Sequence, residues 1–129
     1  MRDATPLYAG LLGLGFVLLS VRVIQARGRA RVSLGTGGDA ALERVVRAHG
    51  NFAEYVPLAL LLMLVAELSG GAPWLLHLAG ASLLLGRAAH AVALSGAARD
   101  FRLRVAGMGL TFAALVLLSA ACLGLAFFG

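Results

Sequence analysis

Four long apolar stretches limit what this chain can fold into. Each approaches or exceeds the about 20 residues that a helix needs to cross a bilayer, and they cover residues 6–24, 40–68, 73–94 and 103–128. The sequence is 60% hydrophobic and only 13% charged, with a mean hydropathy of +0.91. This composition excludes a soluble globular or disordered protein. The sequence therefore predicts an all-α integral membrane four-helix bundle, with one domain over residues 1–129.

The basic residues predict how the helices are oriented. All 11 are arginines, against 6 acidic residues, and the formal net charge is +5. Apart from Arg2, they lie in or beside the first and third connections: Arg22, Arg27, Arg29, Arg31, Arg44, Arg47, Arg87, Arg99, Arg102 and Arg104. By the positive-inside rule, both connections face the cytoplasm and both termini face outward, into the periplasm if the source is bacterial. Because these arginines follow helix ends and form no continuous basic face, a nucleic-acid partner is not predicted.

Ionisable residues inside the apolar stretches mark the candidate site. Such residues are costly in a membrane helix and usually point into the bundle or into a wet cavity. On the second helix, Glu43, Arg47, Asn51 and Glu54 share one narrow sector at helical spacing. The alternative interpretation is that these polar side chains only hold the helices together.

The third helix adds Arg87 and His90, spaced three residues apart. We expect Arg87 to form a structural ion pair with Glu54, because an unpaired charge at this depth would be expensive. A cationic layer then forms in the cytoplasmic third of the bundle from Arg22, Arg47, Asn51, Glu54, Arg87, His90, Arg102 and Arg104. Arginine binds carboxylates bidentately, so the layer suits a small peptide-like anion. The residues show no metal-ligand spacing, no catalytic triad and no phosphate loop, and the single Cys122 allows no intrachain disulfide.

Three segments carry a resemblance to a known family. Residues 43–57, ERVVRAHGNFAEYVP, resemble the second-helix signature of the MAPEG family, the membrane-associated proteins of eicosanoid and glutathione metabolism. The resemblance continues in residues 86–90, GRAAH, and in residues 104–107, RVAG. It implies a homotrimer of four-helix subunits that binds glutathione, as a cosubstrate and with no metal, between neighbouring subunits near the cytoplasmic face.

The resemblance also implies roles for individual residues. Arg104 resembles the arginine that stabilises the glutathione thiolate, with Arg102 as the alternate, since a neighbouring guanidinium lowers the pKa of a thiol. The glutathione-contacting positions are Arg22, Arg47, Asn51, Glu54 and His90. Some eicosanoid-making members have a tyrosine one turn after the third-helix histidine, where this chain has Leu94. This departure disfavours a prostaglandin or leukotriene substrate.

The leading hypothesis is a membrane-embedded glutathione transferase or peroxidase. Its substrates would be lipophilic electrophiles or lipid hydroperoxides that arrive from the bilayer, and its location would be a bacterial inner membrane. One alternative is a non-catalytic protein that retains the family scaffold. Another is a small multidrug transporter, in which Glu54 would bind the proton and the drug.

Overall fold

The computed structural model describes residues 3–95 and 100–129, and it consists of four helices. They are α1 (Ala4–Ala30), α2 (Ala40–Leu68), α3 (Pro73–Ser95) and α4 (Phe101–Phe128). Each is long and apolar enough to cross a membrane, and the described residues contain no strand. The predicted all-α membrane bundle is confirmed. Arg2 and Arg99, two of the arginines that predict the orientation of the helices, lie outside the described residues.

Helix α1 is longer than predicted. It continues past Ile24 to Ala30 and ends at Arg31, whose φ of 56° is left-handed. Arg27 and Arg29 therefore lie in the last helical turn, where positive charge interacts favourably with the C-terminal end of the helix dipole. The guanidinium of Arg27 also donates to the Gly35 carbonyl at 2.7 Å and so holds the following connection against the helix.

The helix starts are capped in two different ways. Asp39 accepts from the Leu42 amide at 2.8 Å and starts α2 as the sequence predicts, and Asp100 accepts from the Leu103 amide at 3.0 Å and starts α4. The side chain of Asp3 makes no such bond at α1. Instead the carboxylate of Glu67, near the end of α2, accepts from the Ala4 amide at 2.6 Å. A residue distant in sequence therefore ties the start of α1 to α2.

The core lies where α2 and α3 meet both outer helices. Helices α1 and α4 each pack against α2 and α3 and, within the described part of the chain, not against each other. Fully buried leucines and a methionine fill the centre: Leu12, Met63, Leu76, Leu83 and Leu118. Many large apolar side chains point outward instead, including Leu14 and Val116, as expected where the surroundings are lipid tails or neighbouring helices.

Candidate functional site

Arg87 of α3 occupies the centre of the polar layer and is 3% exposed. Its guanidinium donates to the Asn51 side-chain oxygen at 2.6 Å and to the Thr111 hydroxyl at 3.4 Å. It also lies 5.8 Å from the ring centroid of Phe52 and 3.5 Å from Nδ1 of His90. A buried guanidinium needs such partners because it has lost its water. Arg87 therefore joins α2, α3 and α4 at one depth.

A close approach of two glycines brings α4 to Arg87. A Cβ atom added to Gly107 would lie 2.7 Å from the Gly86 carbonyl oxygen and 2.8 Å from the His90 backbone nitrogen. The helices can touch only because both positions lack a side chain. One turn after Gly107, the Thr111 hydroxyl donates to the Gly107 carbonyl at 2.8 Å and accepts from Arg87. Thr111 is not among the predicted site residues; the only sequence signal for it is a hydroxyl four residues after a glycine in an apolar helix.

The predicted ion pair between Glu54 and Arg87 is wrong within this chain. Glu54 instead accepts from Arg47 at 3.1 Å, and both side chains are 53% exposed. The reason is rotational: Arg47 and Glu54 lie two turns apart on the outward edge of the polar sector, whereas Asn51 lies on its inward edge and reaches Arg87 first. The two exposed charges of α2, Arg47 and Glu54, therefore pair with each other. The buried guanidinium of Arg87 donates to the amide oxygen of Asn51 instead.

A cavity of about 410 Å³ opens between α2 and α4 beside this network. Its volume falls within the range of roughly 300–1,000 Å³ that small-molecule sites occupy. Its lining residues are Ala40, Glu43, Arg44, Arg47, Ala93, Leu94, Asp100, Phe101 and Arg104. Three arginines face two acidic residues, so the lining is cationic. Arg104 is part of it and Arg102, which is exposed, is not.

The other predicted site residues take different positions. His90 is 3% exposed and packs against Gly107, beneath Arg87. Arg22 lines a separate cavity of about 350 Å³ between α1, α2 and α3. That cavity shares only Leu94 with the cavity between α2 and α4. One chain therefore brings Arg47 and Arg104 together and leaves Arg22 apart.

Comparison with known proteins places these features in a family. The profile of the MAPEG family matches residues 5–124. Two curated relatives, both called "Inner membrane protein YecN", come from Escherichia coli strain K12 and Escherichia coli serotype O6:H1. Each is 40% identical to this chain over 114 residues. The aligned region covers 88% of this chain and 86% of each relative. The matched range includes the Asn51–Arg87 network and both glycines of the α3–α4 contact, and the chain belongs to the MAPEG family.

Proposed function

We propose that the chain is a glutathione-dependent transferase or peroxidase that acts on lipophilic electrophiles or lipid hydroperoxides within a bacterial inner membrane. The observation that carries the proposal is the cavity between α2 and α4, where Arg47 and Arg104 approach from two different helices. Glutathione has two carboxylates and one thiol, so it suits a site with separated guanidinium groups. Membership of the family and the name of the two relatives support the activity class and the location respectively.

Each charged residue has a defined part in this proposal. Arg47, together with Arg44, binds carboxylate, and Glu54, held by Arg47, receives the glutathione ammonium group. Asn51 keeps its NH₂ group for the ligand, because its oxygen already accepts from Arg87. His90 lies 3.5 Å from a terminal nitrogen of Arg87 and positions that side chain beside the ligand.

Arg104 stabilises the thiolate and so raises the fraction of nucleophile at neutral pH. In the transferase reaction, the sulfur attacks the electrophilic carbon, a C–S bond forms and the leaving group departs with the bonding electrons. In the peroxidase reaction, the sulfur attacks the terminal peroxide oxygen and becomes a sulfenic acid as the O–O bond breaks. The lipid alkoxide takes up a proton from water and is released as the alcohol. The thiol of a second glutathione then attacks the oxidised sulfur. Glutathione disulfide and water are the products.

Assembly as a homotrimer belongs to the same proposal. The cavity between α2 and α4 is open on one side, and both helices beside it carry exposed apolar residues such as Leu58 and Phe112. A neighbouring copy would close the cavity and shield the thiolate from water. Both termini then face the periplasm, in accordance with the positive-inside rule.

Proton-coupled drug transport is disfavoured by the position of Glu54. A carrier of cations needs an acidic residue that is unpaired in the membrane, whereas Glu54 is bound to Arg47 and more than half exposed.

Glutathione binding by the detergent-purified protein, measured by calorimetry, tests the proposal. We expect binding that Arg104→Ala weakens by about tenfold or more, since one charged hydrogen bond contributes about 1.5–3 kcal/mol. Arg102→Ala, two residues away and outside the cavity, is the matched control and should bind as the native protein does. Turnover is then measured with chlorodinitrobenzene and with cumene hydroperoxide. Absence of glutathione binding, or full turnover by Arg104→Ala, would overturn the proposal.

A further inference from the structure

A second, separate groove runs between α1 and α3. It consists of the cavity of about 350 Å³ that Arg22 lines and a neighbouring cavity of about 270 Å³. The two have Leu19, Arg22 and Ala91 in common, so they form one continuous depression. One end of the groove is polar and the other is apolar, so the groove matches a ligand that has a polar head and an apolar tail.

The polar end of the groove is cationic. Arg22, Gln25 and Arg29 line it, and no acidic residue does. The only ion pair within residues 3–95 and 100–129 joins Arg47 to Glu54, so neither arginine of the groove is neutralised there. Two guanidinium groups beside an amide donor form a site for an oxyanion.

The apolar end has the length of one bilayer leaflet. Its lining residues besides Arg22 and Arg87 are Leu11, Leu12, Gly15, Leu18, Leu19, Phe52, Leu84, Ala88, Ala91 and Val92. Leu11 and Arg22 are separated by about 16 Å along α1, and half of a hydrocarbon core of about 30 Å is about 15 Å. Arg22 itself lies about 27 Å from the start of α1, close to the opposite membrane boundary.

The floor of the groove contains a buried donor without an acceptor. Arg87 lines the apolar cavity, and its Nε atom has no hydrogen-bond partner among the described residues. Its two terminal nitrogens are directed to Asn51 and Thr111. Because the Nε atom has almost no accessible surface, a ligand in the groove does not reach it, and Arg87 contributes only a buried positive charge beneath the apolar lining.

We propose that this groove binds one anionic phospholipid of the inner leaflet. The phosphate lies between Arg22 and Arg29, and one acyl chain follows α1 toward Leu11. Basic pockets between membrane helices on the cytoplasmic side bind acidic lipid headgroups by the same combination of charge and depth.

Native mass spectrometry of the full-length protein tests the assignment. The protein is released from detergent after incubation with equal amounts of phosphatidylglycerol and phosphatidylcholine that have identical acyl chains. We expect phosphatidylglycerol to be retained preferentially, and Arg22→Gln to reduce that preference about fivefold, the effect of removing one arginine near a lipid phosphate. Ala88→Leu fills the exposed apolar part of the groove and should reduce the retention of both lipids.

Two matched variants serve as controls. Arg31→Gln removes an exposed arginine outside the groove, and Ala113→Leu enlarges an exposed alanine on α4. Both should retain lipid as the native protein does, and each spectrum also reports whether the variant is folded and what its oligomeric state is. Equal retention of the two lipids by the native protein, or an unchanged preference in Arg22→Gln, would overturn the proposal. Displacement of the lipid by glutathione would assign Arg22 to the glutathione site, and a change of oligomeric state in Ala88→Leu with unchanged lipid retention would assign the groove to a second copy.

Discussion

The contact of α3 with α4 and the contact of α3 with α1 differ in how closely the helices approach. At Gly86 and Gly107, α3 and α4 touch backbone to backbone, and the Ser82 hydroxyl donates to the Leu110 carbonyl across the same contact at 2.8 Å. Between α3 and α1, the surfaces separate near Gly15, and a groove remains. The closed contact fixes the buried arginine, whereas the open contact leaves room for a ligand.

The largest effect should come from breaking the closed contact. Gly107→Leu places a side chain where the Gly86 carbonyl and the His90 backbone now lie, and helix backbones cannot move apart without losing the Arg87 network. We expect destabilisation of at least about 3 kcal/mol, the upper end for overpacking, and little folded protein after purification. Gly109→Leu, with no atom within 4 Å of its added Cβ, is the control and should fold normally. Normal thermal unfolding of Gly107→Leu would show that the contact is looser than described.

The next largest effect should come from removing the acceptor of the buried Arg87. Asn51→Leu removes the oxygen that accepts from Arg87 at 2.6 Å and leaves a buried charge with weaker partners. We expect a loss of about 1.5–3 kcal/mol in the free energy of unfolding, measured by denaturant titration in detergent. Asn51→Asp restores an acceptor and should recover most of this loss. If Asn51→Leu unfolds as the native protein does, Thr111 and the Phe52 ring are sufficient for Arg87.

A smaller effect should follow from removing the contact that ties the start of α1 to α2. Glu67→Ala removes the carboxylate that binds the Ala4 and Thr5 amides, so the first turn of α1 loses its cap. We expect a loss of about 1 kcal/mol and faster hydrogen exchange confined to the start of α1. Asp3→Ala, which removes a side chain that makes no cap, is the control. Equal exchange in both variants would remove Glu67 from this role.

The smallest effect should come from the exposed ion pair. Glu54→Gln removes the partner of Arg47, but both side chains are 53% exposed, so the pair contributes about 0.2–1 kcal/mol to stability. The effect should decrease further at high salt, because solvent ions screen exposed charges. Thermal unfolding at two salt concentrations measures it. A loss as large as that of Asn51→Leu would mean that the outer face of α2 is covered in the assembled protein.

The sequence predicted the helices better than the contacts between their polar residues. Hydropathy and capping residues located α2 closely, because the Asp39 cap and the turn after Leu68 are local signals. The end of α1 was placed at Ile24, too early by more than one turn, because an arginine-rich segment has the same composition in a loop and in a last helical turn. Length and hydropathy do not distinguish the two.

The candidate site could be predicted as a set of residues but not as a geometry. Helical periodicity correctly placed Arg47, Asn51 and Glu54 on one side of α2, yet it does not say which of them faces α3. The choice depends on a rotation of α2 that the core residues Phe52 and Val56 fix by their burial. Glu67 carried no local signal, because its partners are the backbone amides of a segment more than 60 residues away.

One acceptor of Arg87 is translated before it and the other after it. An arginine at the centre of a membrane helix adds about 2.5–3.5 kcal/mol to the free energy of insertion. Asn51, which accepts its shortest hydrogen bond, is on α2 and has already been translated when α3 enters the membrane, whereas Thr111 is on α4 and follows. We therefore expect α2 and α3 to insert as a hairpin, because Asn51 can then accept from the arginine before α4 is made. The arrival of α4 then completes the enclosure of that charge.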